Sequence, residues 1–365
     1  MEDLRRTVIL TLTQDCNLAC SYCFEHNKSR NNMDCKTAVD IIETEYRKLQ
    51  ENEILEIDFF GGEPFLEFDL IKEIVEYIEQ SSLRDKVLFF VDTNGTLIDE
   101  NIKKWLLNHE DNFICGLSYD GTPFMHDMNR CNSSSMIDLD FFAKVYPEQT
   151  IKMTVSVETL PYLASGIIFL EEKGFEVACN LAYGIDWSKN DNKYYLEREL
   201  KKLIEHYLDN PQITPCSLLD RDICGISYNK DTKPRFCGAG INVVSYDVDG
   251  QAYPCQFFMP LSVGREKAEK SRSLTFFDEN VPLEVLDPKC KDCIAKAICP
   301  TCYGANYFQC GNIYMQDDNY CNLQKIIIRA QSFFRAQQWR RGEMQLSIEE
   351  EHILLDSILA IQQKL

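Results

Sequence analysis

Through its first 210 residues the chain alternates between short runs rich in Val, Ile, Phe and Thr and longer stretches whose apolar residues recur every three to four positions. The runs 7–13, 54–60, 87–93, 113–119, 150–157 and 175–182 predict strands. The segments 36–51, 68–81, 99–108, 138–145, 160–173 and 191–209 predict helices. The clearest is 68–81, FDLIKEIVEYIEQS, where polar residues fill the gaps between apolar ones. Six strand–helix alternations predict a parallel sheet with right-handed crossovers. An open doubly wound sheet and a partial barrel both satisfy the pattern. In either, ligands collect at the carboxyl ends of the strands, so the chemistry is expected just after Thr13, Phe60, Thr93 and Tyr119.

The rhythm stops near Asn210-Pro211. From there to Asn322 the chain is irregular and cysteine-rich, and 323–341 and 347–364 read as two closing helices split at Arg341-Gly342. The expected division is a first domain over 1–210, a second module over 211–322, and C-terminal helices over 323–365 that pack on the first domain.

With 38 basic and 58 acidic residues the net charge is −20. That disfavours a nucleic-acid backbone or an anionic membrane as partner, and suits a basic peptide. The apolar stretch 7–12 is too short for a signal-peptide core. No window approaches the roughly 18 apolar residues of a membrane span, and the C-terminal IQQKL carries no lipidation signal. A cytoplasmic protein is expected. In that reducing compartment its 17 Cys point to metal or redox chemistry rather than disulfides.

The first predicted strand runs into Cys16, Cys20 and Cys23, spaced C-x3-C-x2-C. Three thiolates on one short loop can hold three corners of a cubane iron–sulfur cluster and leave one iron open. The alternatives are a zinc site, which usually draws its ligands as two pairs, and packing of buried thiols. The second strand ends in Gly61-Gly62-Glu63-Pro64. Two glycines permit close backbone approach, and the carboxylate can accept from a ligand ammonium group.

With these motifs at successive strand ends, residues 5–185 resemble the radical S-adenosylmethionine (SAM) superfamily. The resemblance implies an α/β fold with a partial (β/α)6 TIM-like barrel. It implies a [4Fe–4S] cluster on Cys16, Cys20 and Cys23, with SAM chelating the open iron. One-electron cleavage of SAM then yields a 5′-deoxyadenosyl radical that abstracts a hydrogen atom. By the same resemblance Tyr22 lies beside the adenine, and Gly61, Gly62 and Glu63 meet the methionine amino group. Asn94 and Ser118 lie near SAM at the third and fourth strand ends. Arg130, in His126-Asp127-Met128-Asn129-Arg130, is either a ligand contact or a structural ion-pair residue.

Downstream come Cys237, Cys255, Cys290-x2-Cys293-x5-Cys299-x2-Cys302, Cys310 and Cys321. Asp249-Gly250 between apolar runs signals a hairpin. A zinc knuckle over 290–302 would use four of these Cys and leave Cys237, Cys255 and Cys321 unexplained. The set resembles the SPASM extension of radical SAM enzymes, except that two residues, not three, separate Cys299 from Cys302. The resemblance implies two auxiliary [4Fe–4S] clusters, hence three clusters in all. One would sit on Cys290, Cys293, Cys299 and Cys321, the other on Cys237, Cys255 and Cys302. Cys310, Cys224 and Cys216 are candidates for the missing ligand of the latter, unless one iron is open for a substrate thiolate. Cys35, Cys115, Cys131 and Cys179 lack ligand spacing and are expected to pack.

Enzymes with this layout mostly modify ribosomally made peptides or proteins. The resemblance therefore implies a maturase that forms a thioether or other crosslink in a Cys-containing peptide, with flavodoxin or ferredoxin as reductant. Too few residues precede the first strand for a winged-helix leader-binding domain, so any leader recognition is expected to use a separate protein or another surface. The alternative is an anaerobic sulfatase maturase, which converts Cys or Ser to formylglycine. Those enzymes carry an acidic base directly after the Cys that matches Cys255, where this chain has Gln256. A non-catalytic Fe–S electron-transfer protein is the reading of a different class; it would need neither Glu63 nor an open cluster. No residue is assigned as the catalytic acid or base, and the bond formed depends on how the substrate lies.

Overall fold

The computed structural model describes residues 4–189 and 191–365. The strands are β1 (Leu4–Thr13), β2 (Glu53–Gly61), β3 (Val87–Thr93), β4 (Phe113–Leu117), β5 (Ile151–Val155), β6 (Val177–Leu181), β7 (Val243–Tyr246) and β8 (Ala252–Tyr253). The larger helices are α1 (Cys35–Tyr46), α2 (Phe68–Glu79), α3 (Glu100–Asn108), α4 (Pro123–Asn129), α5 (Leu139–Val145), α6 (Leu163–Glu172), α7 (Asp191–Asp209), α8 (Tyr303–Cys310), α9 (Asp318–Arg341) and α10 (Ile348–Lys364). The chain divides into two compact units. One comprises residues up to 119, 130–152 and 238–276; the other comprises 120–129, 153–237 and 277–365.

The first unit is built on a six-stranded sheet of order β4-β3-β2-β1-β7-β8. All neighbours run parallel except β8, which returns antiparallel to β7. Strict alternation sets the buried face: Leu55, Ile57 and Phe59 on β2, and Val87, Phe89 and Val91 on β3. The Phe59, Phe89 and Phe113 rings stack across three strands, with centroids 5.7, 6.0 and 6.2 Å apart. Trp105 of α3 meets Phe113 edge-on. Helix α2 buries Ile71, Ile74, Val75 and Ile78 at helical spacing. Full burial of each such side chain contributes about 1.5–3 kcal/mol. The alternate residues of the same strands include Asp58 and Asp92, and Lys152 forms an ion pair with Asp92.

The second unit contains the separate β5-β6 pair, although residues 151–152 of β5 belong to the first unit. Helix α9 packs against α7 and α10. Ile223, Ile226, Ile298, Ile328, Leu354 and Ile358 form a buried apolar cluster there, and Cys293 and Cys299 pack on its edge.

The six alternating strands thus do not share one continuous ladder. Beyond β4 the link is a parallel bridge from Ser118 to Lys152, and β7, from beyond residue 210, lies beside β1. The Asp249-Gly250 hairpin forms, with Gly250 at φ +75°. Two predicted helices are shorter: α1 stops at Tyr46, and a 3-10 turn over Leu160–Tyr162 that contains Pro161 delays α6 to Leu163. Among the described residues no helix is long and apolar enough to cross a membrane.

Candidate active site

The turn after β2 is stitched to the cysteine loop after β1. Gly62 N–H donates to the Thr13 carbonyl at 3.1 Å, and Glu63 N–H to the Asp15 carbonyl at 2.9 Å. This closeness explains both glycines. Gly61 has φ +147°, and a Cβ there would lie 2.2 Å from the Thr13 oxygen. A Cβ on Gly62 would lie 2.1 Å from the Asp15 oxygen and 2.8 Å from Cys16 Cβ. The close approach read from the sequence is therefore made by the neighbouring loop.

Within that loop Asp15 Oδ1 accepts from Cys16 N–H at 2.9 Å, and Cys16 Sγ accepts from Leu18 N–H at 3.4 Å. Cys23 N–H closes a turn onto the Cys20 carbonyl at 3.1 Å. Cys16, Cys20 and Cys23 are all partly exposed. Two neighbours were not foreseen. Lys28 has Cys23, Cys16 and Cys20 among the groups that set its charge, although burial opposes them, and its pKa is raised. Glu25 is 7% exposed, its Oε1 has no hydrogen-bond partner, and burial pushes its carboxyl up to about 8. No spacing rule would have selected either residue.

Glu63 is fully buried, and its carboxylate already serves the protein. Oε1 accepts from Thr93 Oγ1 at 2.7 Å and from Phe65 N–H at 3.2 Å, while Oε2 accepts from Asn94 N–H at 2.9 Å. Burial raises its pKa against those hydrogen bonds. Oε1 thus takes two donors and Oε2 one. Asn94 donates from Nδ2 to Asn17 Oδ1 at 2.9 Å, and Asn17 donates to Thr96 Oγ1 at 2.8 Å, which ties the third strand end to the cysteine loop. Ser118 N–H continues the β3–β4 ladder onto the Thr93 carbonyl at 2.9 Å. The Arg130 guanidinium lies 5.6 Å from the centre of the Tyr22 ring and acts electrostatically on Glu63. In the second unit, His126 and Asn129 belong to a buried network. Asp120 N–H donates to His126 Nδ1 at 3.2 Å, and Asn129 Nδ2 to Asp120 Oδ2 at 3.1 Å.

The second unit also brings four of the downstream Cys around one cavity. Cys290, Cys293, Cys299 and Cys321 line it together with Lys233 and Lys289. Burial and the neighbouring thiols push Cys290 up to about 11. Cys302 lies at the head of α8, where its Sγ accepts from Ala305 N–H at 3.4 Å. Burial, with Cys237 close by, raises it to about 11 as well. The candidates for a further ligand are scattered. Cys216 is buried, its N–H bonded to Tyr207 Oη. Cys224 sits by Asp222, and Cys310 is influenced by Asp317 and Lys289. Cys255 lies in the first unit, at the start of a 3-10 turn over Gln256–Phe258. Among the described residues no three His, Cys, Asp or Glu side chains are drawn close enough to hold a single metal ion.

Residues 5–135 match a family model described as a 4Fe-4S single cluster domain. The chain is 32% identical over 176 residues to the uncharacterized protein MJ0907 of Methanocaldococcus jannaschii, covering 47% of this chain and 60% of that one. It is 23% identical over 329 residues to a cysteine-type anaerobic sulfatase-maturating enzyme of Clostridium novyi, covering 80% and 86%. It is 24% identical over 362 residues to the radical SAM cyclopropyl synthase TigE of Paramaledivibacter caminithermalis, covering 89% and 73%. Among solved structures, anSMEcpe with bound AdoMet and Cp18Cys peptide superposes with a TM-score of 0.68 at 20% identity, over 93% of this chain and all of that one. Streptococcus suis SuiB bound to precursor peptide SuiA gives 0.56 at 16% identity, over 87% and 76%. The fold is thus the α/β fold, with a mostly parallel sheet, of these solved radical SAM structures, and the chain is similar to radical SAM enzymes along most of its length.

Proposed function

We propose that Cys16, Cys20 and Cys23 hold a [4Fe–4S] cluster and that SAM binds against the Gly61-Gly62-Glu63 turn. When bound, this pair supplies one-electron cleavage of SAM and hydrogen-atom abstraction from a peptide. The observation that carries the reading is the double hydrogen bond between the Gly62-Glu63 backbone and the Thr13–Asp15 segment. It fixes the two motifs side by side. Lys28 supplies positive charge beside the three thiols. Asn17 and Asn94 brace the loop, and Arg130 and Tyr22 form one wall.

Two auxiliary clusters complete the proposal, one on Cys290, Cys293, Cys299 and Cys321 and one on Cys237, Cys255 and Cys302. Support is stronger for the first, because its four cysteines line one cavity. Four thiolates are the full ligand set of a [4Fe–4S] cluster. The domain division at about residues 210 and 322, a flavodoxin or ferredoxin reductant, a separate leader-recognition protein and a cytoplasmic address belong to the same reading.

The proposed substrate is a ribosomally made, Cys-containing peptide, and the proposed product a thioether or other crosslink. Peptide-bound anSMEcpe and SuiB share the fold. Formylglycine formation is the second reading, favoured by the similarity to the C. novyi sulfatase-maturating enzyme over most of both chains. Gln256 after Cys255 weakens it. The test is anaerobic incubation with SAM, dithionite and a Cys-containing peptide, followed by mass spectrometry. Formation of 5′-deoxyadenosine with loss of two hydrogens from the peptide supports crosslinking. Loss of sulfur with gain of oxygen supports formylglycine. No SAM cleavage, or cleavage that persists in Cys20→Ala, contradicts the assigned site.

A further inference from the structure

The four-cysteine cavity of the second unit contains an electrostatic anomaly. Lys233 is 6% exposed, its Nζ donates to the Cys299 carbonyl, and it stands 4.6 Å from the centre of the Phe236 ring. Arg221 has a buried Nη1 without a hydrogen-bond partner. Burial pulls both cations below their ordinary pKa. The principal groups that counter it are Cys299, Cys290 and Cys293 for Lys233, and Cys299, Tyr183 and Tyr320 for Arg221. None of these is a carboxylate. Among the described residues neither cation forms an ion pair with Asp or Glu. Lys289, on the same cavity, is different: it is paired with Asp287 and Asp318.

Buried cations without a fixed counter-charge are costly and persist where an anionic occupant offsets them. A cubane with four thiolate ligands is such an occupant. Its negative charge grows by one unit on reduction, so a nearby buried cation stabilises the reduced state more than the oxidised one. Paired or exposed lysines are neutralised or screened and contribute less.

We propose that Lys233 and Arg221 are two buried cations that each raise the reduction potential of the centre on Cys290, Cys293, Cys299 and Cys321. The proposal rests on those four Cys being cluster ligands. Lys233 lines one cavity with all four, whereas Arg221 lies outside that lining and acts on Cys299. Removing either positive charge therefore shifts the potential in the same direction, with Lys233 the larger of the two.

The test is an EPR-monitored redox titration of the full-length, anaerobically reconstituted Cys16/Cys20/Cys23→Ala protein, in which the auxiliary signals stand alone. Lys233→Met and Arg221→Met are compared with Lys233→Arg. Iron content is measured first. If substituting Cys290 and Cys299 in this background removes no iron, the ligand reading fails, and the tuning proposal with it. If iron is present, Lys233→Met is expected to lower the reduced-to-oxidised ratio at a fixed potential by about tenfold, which is 59 mV for a one-electron couple. Lys233→Arg keeps the parent value, and Arg221→Met shifts it the same way. Unchanged midpoints at unchanged iron content overturn the proposal. Should Lys233→Met fail to assemble the centre, Arg221→Met decides alone: a shift supports the proposal, and no shift overturns it.

Discussion

The Glu63 amide donates to the Asp15 carbonyl at 2.9 Å, one residue ahead of the first cysteine of the loop. The turn after β2 and the loop after β1 are therefore one structure, and a change in either moves the other. Gly62 is the pinch point. Gly62→Ala puts a methyl group 2.1 Å from the Asp15 oxygen and 2.8 Å from Cys16 Cβ. Overpacking of this kind costs about 1–3 kcal/mol. The variant is expected to melt earlier than wild type and to retain less iron after anaerobic reconstitution. Iron at the wild-type level with normal SAM cleavage would show that the contact does not govern the loop.

Glu63→Gln tests the buried carboxylate. Glutamine keeps one carbonyl oxygen but turns an NH2 toward a donor that now has an acceptor. An unsatisfied buried donor costs about 1–3 kcal/mol. Lower thermal stability is expected together with weaker SAM binding, the latter read by equilibrium dialysis on reconstituted protein. Loss of stability with unchanged SAM affinity would assign Glu63 to the scaffold alone.

Glu45 gives the pH dependence of the first unit. Its buried carboxylate accepts from Arg6 at 2.7 Å, Lys48 at 2.5 Å and Tyr246 at 2.6 Å. Burial would raise its pKa, but the bonds from Lys48, Tyr246 and Arg6 hold it below its ordinary 4.5. A depressed folded value means stability that is present above the unfolded value and lost as pH falls through the folded one. Glu45→Gln is expected to cost about 1–3 kcal/mol at neutral pH, and the gap to wild type should close below about pH 4. Urea melts at two pH values measure it; a gap that stays constant with pH would contradict the ion-pair account.

Helix α10 starts with a reciprocal cap. Ser347 Oγ accepts from Glu350 N–H at 3.3 Å, and the Glu350 carboxylate accepts from Ser347 N–H at 2.8 Å. Ser347→Ala removes half of it and is expected to cost about 0.5–2 kcal/mol. Hydrogen exchange should show earlier opening of 348–364, where Leu354 and Ile358 join the cluster beside Cys293 and Cys299.

The cysteine spacings and the GGE turn stand out in the sequence because each is a short, local pattern. The βα rhythm was readable because β2, β3 and α2 alternate over enough residues for their period to show. What failed to show was short or distant. β7 has four residues and β8 two, too few for an alternation, so the Asp249-Gly250 turn announced their hairpin but nothing announced its place beside β1. Helix α4, seven residues with an internal network around His126, lacks a full amphipathic period. Lys28, Lys233 and Arg221 are cations that only the fold brings near Cys residues, and no motif announces them. Glu63 was singled out as a ligand contact from its place in the turn, but three of its acceptor positions are taken by Thr93, Phe65 and Asn94, which only the fold reveals.

The most direct measurement is the iron and acid-labile sulfide content of anaerobically reconstituted protein, wild type against Cys16/Cys20/Cys23→Ala. Three cubanes give about twelve irons per chain, and the triple variant should lose about four of them along with all SAM cleavage. An unchanged iron content in the variant, or a wild type near four irons with zinc bound alongside, would contradict the account.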